Sequence, residues 1–184
     1  HEGYGTGYLS NHLIEVFVHK GARFERIVVA EEDPAGIAIT SAEVHLDEGA
    51  AFSQTVLTTG AKLQRIETRL KHPGEGATVR IDGAYLLAGE RHADLTTEVD
   101  HVGGDGLTDQ LTKGVVRDAA RGVFQGRIIV REGADGTDAR MGHHALITSD
   151  RGEVDARPEL EIYADDVSCA HGNTVGALDE SALF

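Results

Sequence analysis

Cysteine occurs once in the chain, at Cys169, and tryptophan does not occur at all. A single thiol excludes an internal disulfide framework, so nothing in the sequence points to secretion. Aromatic residues make up only 5%, so the core must be built from Val, Ile, Leu and Ala. Proline is rare (3) and glycine frequent (23), the balance produced by many tight turns between short β-rich runs. Basic residues are the minority charge: 17 Lys and Arg against 31 Asp and Glu leave a net −14. Such a surface repels nucleic-acid phosphates and anionic membranes, and no basic cluster offsets it, so neither is expected as a partner. No apolar run approaches membrane-spanning length, and no basic start leads into a signal-type apolar segment. A cytoplasmic location is what these absences leave. The chain opens at His1 rather than Met, which reads as a trimmed fragment. Its 184 residues fit one domain with a real core.

Short apolar runs recur along the chain. From Asn11 the pattern is β: Leu13, Ile14, Val16 and Val18, then Ile27, Val28 and Val29. Val44 and Leu46 alternate with Glu43, His45 and Asp47. Ile66-x-Thr68-x-Leu70, Val79-x-Ile81, Leu95-x-Thr97-x-Val99, Ile128-Ile129-Val130 and Leu160-x-Ile162 continue the series. His1 to Ser10 has no period and reads as a frayed strand or a tether. A sustained 3.6-residue period is almost absent, so the chain is predicted all-β. A Gly-Ala unit at residues 21, 49, 60, 76, 83 and 133 reads as a corner, because glycine tolerates the positive φ of a sharp turn. Recurrent corners suit a parallel β-solenoid. They suit a β-sandwich equally, and the pattern alone leaves both open. At the other end Asp179 is a good N-cap, Glu180 suits a first turn and Ala182-Leu183-Phe184 continues apolar, so a helix is predicted to begin there.

If the run around Cys169 is a strand, period-two alternation puts Val167, Cys169 and His171 on one face. A thiol and an imidazole beside Asp165 and Asp166 form a candidate site for a soft or borderline metal. On spacing alone the simpler account is a buried Cys and a polar His at a strand end. Asp165 and Asp166 read as turn formers. His143 and His144 are adjacent, so in a strand they point to opposite faces and do not share an ion. His92 and His101 lie near Asp94 and Asp100 at no recognisable ligand spacing, and the remaining histidines read as solvated surface groups. Gly103-Gly104-Asp105-Gly106 is not followed by Lys-Ser or Lys-Thr and is no phosphate loop. Neither a Gly-x-Ser-x-Gly elbow nor His-Glu-x-x-His nor Cys-x-x-Cys is present, so catalysis is not expected.

Cys169-Ala170-His171-Gly172-Asn173-Thr174-Val175-Gly176 resembles the Cys-x-His-Gly-Ala-Thr-Val-Gly signature of the SufD branch of the SufB/SufD family of iron–sulfur cluster assembly scaffold proteins. The SufB branch usually carries a Glu between its Cys and His. Asn173 departs from the usual Ala, a small change that reads as lying on a turn. Arg121-Gly122-Val123-Phe124-Gln125-Gly126-Arg127-Ile128, with Lys113-Gly114 before it, is a second similar block. The specific likeness runs from Lys113 to Phe184; upstream it rests on pattern.

The resemblance implies a right-handed parallel β-helix, with residues 1–184 as a single core domain ending near Asp179–Phe184, where the family continues into helices that dock the ATPase SufC. It implies a non-enzymatic scaffold that pairs with SufB, or with itself when SufB is absent. One thiol cannot hold a four-thiolate cluster, so the implied cofactor is a transient iron–sulfur cluster shared across a subunit interface. His171 is the implied ligand, and Cys169 is either a second ligand or structural. Phe124 and Tyr163 are the candidates for contact with the partner scaffold. For Phe124 the residues themselves favour a solenoid corner, with the ring filling the core between close-packed glycines. Two other functions stand beside this one: a metal-dependent cupin-like barrel enzyme, which needs three converging ligands, and a structural interaction module in which His171 is idle.

Overall fold

The computed structural model describes residues 7–72 and 74–177. Twelve strands follow one another, with no helix among the described residues. They are β1 (Leu9–Val18), β2 (Arg23–Ala30), β3 (Ile37–Leu46), β4 (Ala51–Thr58), β5 (Leu63–His72), β6 (Thr78–Leu87), β7 (His92–His101), β8 (Leu107–Val116), β9 (Arg121–Val130), β10 (Asp138–Ile147), β11 (Glu153–Ile162) and β12 (Ser168–Ala177). Odd strands pair in the order β1-β3-β5-β7-β9-β11 and even strands in the order β12-β10-β8-β6-β4-β2. Every pairing between these strands is parallel. Each coil thus contributes one strand to each wall, and six coils stack into a parallel β-solenoid. This decides between the two folds that the corners left open, and it removes the closed barrel that a cupin needs.

The stacking turns alternation along a strand into columns across coils. In the odd wall Val16, Val44, Leu70, Val99, Ile128 and Leu160 stand in register, one above the other. The middle four of these are at most 2% exposed. Burying such a column is the main favourable term for a fold whose coils cannot bury their apolar faces singly. The outer face of this wall carries ion pairs between coils. Arg127 lies between Glu98 at 3.3 Å and Glu161, and Arg131 meets Asp100 at 2.7 Å.

Corners stack as well. Gly21, Gly49, Gly76, Asp105 and Gly136 all have positive φ, from 54° to 74°. The N–H of each donates to a carbonyl one coil on, as in Gly21 to Glu48, Gly49 to Glu75 and Gly76 to Gly104. Five of the six Gly-Ala units have the positive φ of a sharp turn, at Gly21, Gly49, Gly60, Gly76 and Gly133. Gly83-Ala84 is not: it lies inside β6. The repeat escapes a fixed-period search because coil length varies. Stacked residues are separated by 26 positions from Ile37 to Leu63 and by 32 from Arg121 to Glu153. The first strand begins at Leu9, so Ser10 belongs to β1 rather than to a tether. The predicted helix start at Asp179 lies outside the described residues.

Candidate functional site

Residues of the even wall point inward at every second position, and β12 closes that wall. Among the described residues it hydrogen-bonds to β10 alone, as β11 does to β9, so the last coil presents two unpaired edges there. Cys169 stands on Ala139, His171 on Met141, Asn173 on His143 and Val175 on Ala145. All four β10 residues are buried. Cys169 and His171 therefore share the inward face, as alternation predicts. Met141 is 3% exposed beneath a covering strand, whereas His171 has no coil above it among the described residues and is exposed. The two side chains are two strand positions apart, about 6.7 Å.

Cys169 is a free thiol, half-buried and packed against the core. Burial pushes its pKa up, with the Asp138 charge adding to this and a backbone hydrogen bond at Ala139 opposing it. The thiol is thus protonated at neutral pH until a metal or a base takes the proton. Asp165 and Asp166 form a bend before β12, their N–H groups turned toward Asp135 Oδ1 at 3.3 and 3.5 Å. Among the described residues no three His, Cys, Asp or Glu converge on one point. Tetrahedral iron would find at most two donors here, Cys169 and His171, so the donor set fits half of a ligand shell rather than a complete one. His171 also borders a recess of about 400 Å³ with Arg80, Asp82, Asp109 and Arg140 on its walls.

Beneath the edge strand lies a polar network. His143 Nδ1 is 2.8 Å from Asn173 Oδ1, and its Nε2 is 2.9 Å from the Tyr85 hydroxyl. Phe124 stacks on the His143 ring at 4.8 Å and 7°. Burial lowers the pKa of His143, with the Asn173 bond opposing it. His144 points the other way and is exposed, as expected of neighbours on a strand. It borders a groove of about 690 Å³ on the outer wall, floored by Val29, Leu57, Leu86, Val115 and Leu146.

Two expectations need correction. Phe124 sits in the middle of β9, not at a corner, and is 1% exposed. Its ring belongs to the core and has no surface to offer a second scaffold. His72 is no solvated group: it and His101 are wholly buried, with ring centroids 4.1 Å apart. Tyr163 is different. It follows β11, is 59% exposed, and its hydroxyl donates to Glu161 Oε2 at 3.2 Å. Asn173 draws notice in the sequence only as a departure from the usual Ala and reads as lying on a turn, whereas it sits inside β12; Tyr85 is not singled out at all. The available signal was the separation of 30 residues between His143 and Asn173, which is one coil.

Comparison with known proteins agrees with this geometry. A family model described as "SUF system FeS cluster assembly, SufBD core domain" matches residues 1–184. The iron–sulfur cluster assembly protein SufD of Escherichia coli (strain K12) is 38% identical over 168 residues, which cover 91% of this chain and 40% of that protein. A SufBD family protein of Synechocystis is 25% identical, over 96% of this chain and 39% of its own length. The chloroplastic protein ABCI7 of Arabidopsis thaliana is 28% identical, over 96% of this chain and 38% of its own length. The chain thus spans about two-fifths of these relatives, the 38–40% they have in common with it. A six-coil parallel solenoid, a Cys-x-His edge strand and a match along the whole sequence lead to one conclusion: the chain belongs to the SufBD core-domain family of the SUF iron–sulfur cluster assembly system.

Proposed function

We propose that this chain is a non-enzymatic scaffold subunit of cytoplasmic iron–sulfur cluster assembly. It pairs with a SufB-like subunit, works with a SufC-like ATPase, and donates His171 to a transient cluster at the subunit interface. Cys169 is the neighbouring ligand candidate. One observation carries the reading: the thiol and the imidazole face the open mouth of the last coil, on the unpaired edge strand β12. An unpaired edge is a template for strand addition. A partner that extends the wall beyond β12 would cover His171 and bring its own donors to the same place. Two donors from this chain and the rest from the partner make a four-ligand shell that neither chain builds alone.

Tyr163 belongs to the same end of the molecule. Exposed at the end of β11, it is the aromatic placed to bury against the partner, the residue type favoured at interface centres. When no SufB-like chain is present, a second copy offers the same edges and a homodimer is the expected state.

The test is reconstitution with SufB-like and SufC-like partners, comparing wild type with His171→Ala. The exposed site predicts that the variant folds and joins the complex but loses most of its cluster yield. Cluster formation at the normal rate would instead identify the chain as a structural module with His171 idle.

A further inference from the structure

Little fixes the register of β12. Its outward residues are Ser168, Ala170, Gly172, Thr174 and Gly176, none of them large. Most of its inward face is exposed. Register is weakly specified in small, Gly-rich strands without a fully buried face, and a slip of one residue turns every side chain over. For β12 that slip would aim Cys169 and His171 out of the solenoid. A slip of two would carry them about 6.7 Å along the edge.

One contact discriminates between these registers. His143 is wholly buried and fixed by residues outside β12. Phe124 of β9 stacks on one face of it, and the Tyr85 ring lies 6.0 Å away at 20°. Tyr85 belongs to β6, two coils below, and reaches along the solenoid axis past Gly114 and Gly122. A Cβ at Gly114 would run into the Tyr85 ring, and one at Gly122 would lie 2.8 Å from it. The imidazole is therefore held in place before β12 is added, with its Nδ1 facing the last coil. Asn173 Oδ1 accepts from Nδ1–H, and Nε2 accepts from the Tyr85 hydroxyl. A slip of two in one direction would put the apolar Val175 opposite Nδ1 and leave a buried donor unmet.

We propose that the His143–Asn173 hydrogen bond is the register key of the edge strand, and that Asn173 is a positioning residue which keeps Cys169 and His171 turned toward the open mouth. The consequence for cluster chemistry rests on His171 being a ligand; the register itself does not. Single buried polar pairs that select one register over others at similar stability are an attested use of such groups.

The test uses the 184-residue chain without cluster or partner. Three quantities are read: the NMR tautomer of His143, the cross-strand nuclear Overhauser pattern between β10 and β12, and the rate at which Cys169 reacts with a disulfide reagent. For Asn173→Ala the proposal expects loss of the pure Nδ1–H tautomer, loss or doubling of the cross-strand pattern, and a several-fold faster thiol reaction. Asn173→Asp, which restores an acceptor, should recover all three. Thr174→Val, on the outward face of the same strand, should change none. An unchanged pattern and thiol rate in folded Asn173→Ala would overturn the proposal, as would an equal change in Thr174→Val. If Asn173→Ala does not fold, the exchanged pair His143→Asn with Asn173→His decides. Recovery of the slow thiol rate supports the key, and a fast rate in the exchanged pair overturns it. Failure of His171 as a ligand would leave all of these readouts unmoved, so the two ideas fall separately.

Discussion

His101 meets His72 edge to face inside the solenoid, ring centroids 4.1 Å apart and both side chains wholly buried. Burial lowers the His72 pKa from 6.5 to about 4. Burial and then the neighbouring His72 lower that of His101 from 6.5 to about 3. Below pH 6.5 the unfolded chain binds protons that the folded chain refuses, so stability is lost as pH falls toward these values. For the pair the loss between pH 6.5 and 5 is about 3 kcal/mol, above the range where carboxylates titrate. Urea midpoints measured across that window should decline, and His101→Gln should remove about half of the decline. A flat profile would mean that both rings can be protonated in place.

Phe124 fills the core and also clamps His143, so Phe124→Ala should cost about 3–5 kcal/mol by equilibrium unfolding. Gly114→Ala tests the same region from the other side. Its added methyl group competes with the Tyr85 ring and should cost about 1–3 kcal/mol. It should also free the Tyr85 hydroxyl from His143, a change visible in the His143 nitrogen shifts. A Gly114→Ala protein of wild-type stability would show that Tyr85 has room to move.

Cys169 should be a sluggish nucleophile despite its position near an opening. Burial raises its pKa, so less thiolate is present at pH 7 than in an ordinary cysteine. Alkylation by iodoacetamide should be slower than for free cysteine at pH 7 and should keep rising past the pH at which free cysteine levels off. A fast, pH-independent reaction would mean a thiolate stabilised by a charge, against the burial seen here.

The odd wall was easier to read in the sequence than the even one. Val44, Leu70 and Val99 alternate with polar or charged residues, and the ion pairs outside and aliphatic column inside follow directly. The strands β4, β8 and β10 of the even wall left no comparable trace. Their inward positions include Gln54 and Thr58, then Thr108, Gln110 and Thr112, then Met141 and His143, all buried. Two of these polar groups bond across the lumen, Gln54 to Thr68 at 3.0 Å and Gln110 Oε1 to Thr97 at 2.8 Å, while Gln110 Nε2 is left without a partner. Hydrogen bonds between walls thus stand where hydropathy expects apolar side chains. The shared inward face of Cys169 and His171 was legible because strand alternation fixes it. Asn173 was not, because its partner lies one coil away and coil length is irregular.

The proposed role of His171 is to bind iron of a cluster completed by a partner chain. It is tested most directly by pulsed electron paramagnetic resonance on the reduced cluster of a reconstituted complex, with this chain alone carrying ¹⁵N-labelled histidine. The expected result is a ¹⁵N coupling of the size of a directly bound imidazole, lost in His171→Ala while the complex stays assembled. A wild-type cluster without that coupling, or a coupling that survives His171→Ala, would contradict it.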